Sequence, residues 1–136
     1  MKRKIVLDTN IIVSALTFGG KPQIIYETIV FNKMFEAYSS ENALSELLKV
    51  LKQKFKYTAE KLRLIEYNFR ENFKFIRIGK IPDIITADPP DNEFLAIADA
   101  VKAHFIISGD RHLLRLKKYK NTSIITPTKF LEEVLE

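Results

Sequence analysis

The feature that most constrains the fold of this chain is an alternation. Apolar runs of strand length recur at residues 4–7, 35–38, 75–78, 105–108 and 123–126, with stretches of helical period between them. Helices placed between strands let those strands run parallel, and they then cover both faces of the sheet that they connect. The pattern predicts an α/β fold of three layers, α/β/α, built on a five-stranded parallel sheet. A chain of 136 residues suits a single domain spanning 1–136, with a core that needs no disulfide or structural metal.

Helix boundaries are written in the sequence. Pro22 suits the first turn before "QIIYETIVF", Ser39 or Ser40 can cap "ENALSELLKVLKQK", and Thr58 can cap "AEKLRLIEYNFRENF". Thr126 with Pro127 opens the last helix, and either Asp88 or Asp91 caps the helix after "DPPD". The irregular stretch 79–90 reads as a loop on the functional rim.

Two of these boundaries carry a carboxylate where it attracts notice. Asp8 follows "KIVL" at the carboxyl end of the first strand, and Asp110 follows "FIISG" at the carboxyl end of the fourth. Open α/β sheets bind ligands in the crevice outside that edge. Asp91, at the start of "DNEFLAIADAVK", is brought to the same edge, because a crossover helix begins where the preceding strand ends. On the helical wheel Asp91 extends the stripe of Phe94, Leu95 and Ala98.

Glu46 is a fourth candidate. It lies beside Ala43 and Val50, at the margin of the stripe Leu44, Leu47, Leu48 and Leu51. At 1.5 Å per residue it starts about 9 Å along its helix, so only a long acid could lean back to the rim.

Each aspartate alone reads as an N-cap, and Glu46 alone as a solvated helix residue. Independent caps, however, have no reason to converge on one crevice. Packed carboxylates repel unless some are protonated or a cation joins them. The chain has no cysteine, so a metal would be held by oxygen or by the two histidines, which points to Mg²⁺ or Mn²⁺. Such an ion suits hydrolysis of phosphodiesters.

Charge supports a polyanionic substrate. The net charge is +5 with a pI near 9.4; with the four candidate acids set aside, 22 basic residues face the remaining 13 acids. The densest basic stretch, "RHLLRLKKYK", carries Arg111, Arg115, Lys117, Lys118 and Lys120, and a second, "KQKFKY", covers residues 52–57. Solvated helix faces and turns would look the same. The start "MKRKIVLD" has the basic opening of an export signal but only three apolar residues before Asp8, and no segment approaches the roughly 18 apolar residues of a spanning helix. A soluble, cytoplasmic protein with no membrane contact is expected.

"VLDTNIIVSAL", "SENALSELLKVL", "DPPDNEFLAIADA" and "IISGDRHLL" resemble the four acidic motifs of the PIN-domain nucleases, especially the toxin components of prokaryotic toxin-antitoxin systems. The resemblance extends to the closing "IITPTKFLEEVLE". It implies strand order 3-2-1-4-5 and a metal-dependent endoribonuclease acting on RNA, with single-stranded RNA expected. Asp8, Glu46, Asp91 and Asp110 would be the catalytic, metal-binding acids. Asn10 would hold the first acid and a water network, Asn92 and Ser108 would be outer polar groups, and Arg111, Arg115, Lys117 and Lys118 would meet the nucleic acid. A homodimer and an antitoxin partner are implied, with Leu64 and Tyr67, on the far side of the helix 58–73 from its core stripe, as candidate contacts alongside the helix 40–54.

The chain departs from the family pattern at His112, where many relatives carry an acid, and at Lys102 and His104, where glycine and alanine are common. His104 is read as structural, Asp88 as a cap and Asp99 as solvated. Two rival readings exist: a non-catalytic PIN fold that binds RNA or protein, and a haloacid-dehalogenase-type phosphohydrolase. The second would need acids where Asn10 and Leu114 stand. A dinucleotide-binding domain fails for want of a glycine-rich turn after the first strand.

Overall fold

The computed structural model describes residues 2–82, 84 and 91–134. The strands are β1 (Arg3–Leu7), β2 (Phe35–Ser39), β3 (Phe73–Phe75), β4 (Phe105–Ile107), β5 (Lys118–Tyr119) and β6 (Thr122–Ile125). Between them stand helices α1 (Thr9–Thr17), α2 (Gly20–Phe31), α3 (Glu41–Phe55), α4 (Ala59–Asn72), α5 (Asn92–Val101), α6 (Arg111–Leu116) and the short α7 (Pro127–Lys129), which continues as a π-helical turn over Phe130–Val134.

The sheet order is β3-β2-β1-β4-β6-β5. Its first five strands are parallel and follow the expected order, with β6 in the fifth place. The sixth strand corrects the expected count of five. Lys118 and Tyr119 pair antiparallel with Ser123 and Thr122, closing a hairpin onto the sheet edge. A positive φ of 54° at Lys120 makes the turn, and a two-residue edge strand carrying lysine offers little to a foreign strand. The third strand also starts earlier than its apolar run suggested. Phe73 ends α4, stacks on Phe69 at 4.1 Å and pairs with Ala37, so the chain enters the sheet at 73 and leaves it before Ile78.

Alternation along the central strand divides the core. Ile5 and Leu7 face a cluster built by α1, α2, α3 and α4, whereas Val6 joins Ile106 and Ile124 against α5. Leu44, Leu47 and Leu51 form the buried stripe of α3, each contributing roughly 1.5–3 kcal/mol by its removal from water. Ser40, Thr58 and Thr126 cap their helices, accepting from the amides of Ala43, Lys61 and Lys129. Among the described residues no helix is long and apolar enough to cross a membrane.

The chain crosses from β3 to β4 over the far side of β1, so the strand order reverses between β1 and β4. That reversal opens a crevice at the carboxyl edge. The register of Leu7 with Ile107 and of Ile107 with Ile125 brings Asp8, Ser108 and Thr126 level along it.

Candidate active site

Eight polar or charged residues are buried among those described, and all except Thr122 lie at this edge: Asp8, Thr9, Ser39, Ser40, Asp91, Asn92 and Ser108. Burial of polar groups is unfavourable unless they are hydrogen-bonded, and here the bonds join into a run. The Asn10 amide donates to Asp8 Oδ1 at 3.1 Å, and the Ser108 hydroxyl donates to Asp8 Oδ2 at 2.7 Å. Ser108 Oγ in turn accepts from the Asp110 amide at 2.9 Å. Asp110 Oδ1 accepts from the amides of His112 and Leu113 at 2.7 and 3.4 Å. The Asp91 carboxyl neighbours that of Asp110 and favours its ionised form.

Burial raises the Asp110 carboxyl. The His112 and Leu113 amides, the hydrogen bond from Asp91 and the charge of the His112 ring outweigh that effect and hold it below the usual carboxylate range.

The capping readings divide. Asp8 and Asp110 do cap α1 and α6. Asp91 does not cap α5: its backbone is already helical (φ −64°, ψ −24°), and its side chain accepts from none of the first-turn amides. It therefore sits buried at a helix start without doing the job that most often puts an aspartate there. The competing cap, Asp88, lies outside the described residues, as does most of the loop expected over 79–90.

Glu46 corrects the expectation of a closed cluster of four. It is exposed on the second turn of α3, and among the described residues no three acidic or histidine side chains stand close enough to ligate one ion. Nonetheless the donor chemistry at the edge, carboxylate oxygens backed by a serine hydroxyl, is of the kind a hard dication takes. Asp8, Asp91 and Asp110 supply those oxygens, although as they stand they do not close on one ion.

Other assignments change in detail. The Asn10 side chain is exposed, and it is the Asn10 backbone that holds Asp8. Asn92 Oδ1 accepts from the Ile84 amide at 3.3 Å and so ties the preceding loop to the helix start. Asp99 is not merely solvated, because Lys120 pairs with it at 2.9 Å, which takes that lysine out of the basic stretch. Arg111, Arg115, Lys117 and Lys118 are exposed. His104 is structural: its Nδ1 accepts from the Lys4 amide at 3.0 Å.

One contact had no signal in the sequence. The Ser40 hydroxyl donates to Glu93, 53 positions away, latching the start of α3 to the first turn of α5. Ser40 was legible only as a cap, and Glu93 only as one exposed acid among many.

A doubly wound sheet with a switch point between β1 and β4 defines a class of α/β proteins that bind ligands in the crevice outside that edge. The chain belongs to the PIN domain family, whose pattern matches residues 4–112. It is also similar to Uncharacterized protein MJ1680 of Methanocaldococcus jannaschii, with 31% identity over 147 aligned positions, covering 98% of this chain and 92% of the relative.

Proposed function

We propose that this chain is a metal-dependent endoribonuclease that hydrolyses phosphodiester bonds of single-stranded RNA at the β1/β4 edge. The observation that carries the reading is the hydrogen-bonded run Asp8–Ser108–Asp110, with Asp91 buried beside it, at the switch point of a PIN domain.

Asp8, Asp91 and Asp110 would hold Mg²⁺ or Mn²⁺, with Glu46 of α3 as the fourth acid. When bound, the ion makes water acidic enough to attack at neutral pH and offsets charge on the phosphoryl oxygens. The protein's part is orientation. Ser108 and the Asn10 amide fix both oxygens of Asp8, the amides of His112 and Leu113 fix Asp110, and Asn92 keeps the loop before α5 in place. Arg111, Arg115, Lys117 and Lys118 line the approach with positive charge for the RNA backbone.

The same reading includes a toxin role with an antitoxin partner, and a homodimer. A cleft of about 500 Å³ between α1 and α4, lined by Leu16, Tyr26, Leu64 and Tyr67, supports a protein partner. Leu64 and Tyr67 are each about two-thirds exposed. A short reading frame beside the gene, encoding a small protein that blocks activity, is the expected genomic context.

The exposure of Glu46 favours one second reading, a PIN fold that binds RNA without cutting it. Incubation with single-stranded RNA separates the two. Cleavage with Mg²⁺ or Mn²⁺ that is lost in EDTA and in Asp8→Asn is the expected result. Binding without cleavage in every metal supports the module, and cleavage that survives EDTA overturns the metal chemistry.

A further inference from the structure

Ion pairs take up cations unevenly over this molecule. Arg70 is held by Glu41 and Glu66, Lys2 and Lys74 by Glu36, and Lys102 and Lys120 by Asp99. Residues 49–63, spanning the end of α3 and the start of α4, lie outside these pairs. They hold six basic residues against the single acid Glu60, and among the described residues none of those six forms a salt bridge. Lys52, Lys54, Lys56 and Lys61 are all exposed.

Aromatic rings stand among these charges. Phe18, at the end of α1, is 73% exposed, and its ring meets Phe55 edge-on at 5.6 Å, which supports it from beneath. Lys61 lies over the Tyr57 ring at 4.9 Å, and that ring's hydroxyl is tied to α1 through Thr17 at 3.1 Å. The backbone holds the arrangement in place: Lys56 ends α3 in the left-handed region at φ 58°, turning the chain sharply into α4.

We propose that this patch, centred on Lys52, Lys54, Lys56 and Phe18, is a second contact for single-stranded RNA, separate from the carboxylate edge. The inference rests on the nuclease reading for its choice of polyanion. Unpaired cations beside an exposed, supported ring are the means by which sequence-tolerant proteins hold a single strand: charge tracks the phosphates while a base stacks on the ring. Exposed Leu64 and Tyr67 share a cleft with Tyr57 and Lys61, so a lipid surface is the rival occupant, and vesicle binding is an arm of the test. α3 has 15 residues and runs from the active edge at Ser40 to the patch. At 1.5 Å per residue that is about 22 Å, or about six nucleotides at 3.4 Å each. An RNA of that length or more can touch both places, so the patch selects long, unstructured substrates.

The test is binding of a 20-nucleotide single-stranded RNA, followed by fluorescence anisotropy in EDTA across a salt series, with the full chain. The triple variant Lys52→Gln, Lys54→Gln, Lys56→Asn is expected to weaken binding at least about tenfold. It should also flatten the slope of log affinity against log salt by about two, from roughly 0.7 per lost phosphate contact. Phe18→Ala is expected to weaken binding several-fold with the slope unchanged, because stacking releases no counterions. Asparagine at 56 tolerates the left-handed backbone, and circular dichroism confirms folding of each variant.

Wild-type affinity and slope in the folded triple variant overturn the patch. So does binding of the wild type to phosphatidylserine vesicles but not to RNA. Because the assay requires no cleavage, a protein that cuts nothing still shows the patch, and an active nuclease whose triple variant binds normally loses the patch alone.

Discussion

Ser108 concentrates the chemistry of the edge in one hydroxyl: it donates to Asp8 and accepts from the Asp110 amide, and it is fully buried. Ser108→Ala removes both bonds while leaving their partners in place, so a loss of roughly 1–3 kcal/mol is expected in urea unfolding, together with reduced cleavage. An equal cleavage rate in the folded variant would show that Asp8 needs no such fixing. Lys102 is a second residue whose role is clear only from its backbone. It occupies the left-handed region (φ 57°, ψ 51°) at the end of α5, a conformation that glycine adopts at least cost. Lys102→Gly is expected to stabilise the fold by about 1 kcal/mol, read as a rise of a few degrees in Tm, whereas Lys102→Ala should not. Of the residue-level assignments, Asp8 and Asp110 were legible because they stand at strand ends. Asn10 does hold Asp8, through its backbone amide, a donor that the sequence does not distinguish from the side chain.

The elements followed their local signals closely. Ser40, Thr58 and Thr126 cap as expected, because a cap depends on residues within one turn. The third strand was displaced because its boundary depends on pairing with β2 rather than on where the apolar run begins. A carboxylate marks the open face of that strand pair. Glu36 accepts hydrogen bonds from the Tyr38 hydroxyl and from Lys74, and these, with Lys2 nearby, hold it below the ordinary carboxylate range. A lowered folded pKa gives stability that is present above the unfolded value, about 4.3, and is lost as pH falls through the folded one. Glu36→Gln should therefore unfold at lower urea than the wild type at pH 7, and the gap should close below about pH 4. A constant gap over that range would mean that ionisation at Glu36 contributes nothing to the strand pair.

At the scale of the whole molecule, three acids reach one edge and a fourth stays in water. An ion that binds only the folded chain stabilises it by about 2.7 kcal/mol at a hundredfold excess over its Kd. Mn²⁺ is expected to raise the thermal midpoint of the wild type, EDTA to reverse the rise, and Asp91→Asn to abolish it. An undiminished rise in Asp91→Asn would place the ion elsewhere. The sequence by itself determined the layered class, the parallel run of strands, the helix caps and the basic balance, since each depends on the spacing of neighbours within a few residues. Tertiary structure alone decided that Ser108 bridges acids 100 positions apart from its partner Asp8, that Ser40 meets Glu93, that Asp91 is buried without capping its helix, and that Glu46 faces solvent. Those outcomes depend on which strands lie side by side and on how each helix packs against the sheet, and contacts between residues far apart in the chain decide both.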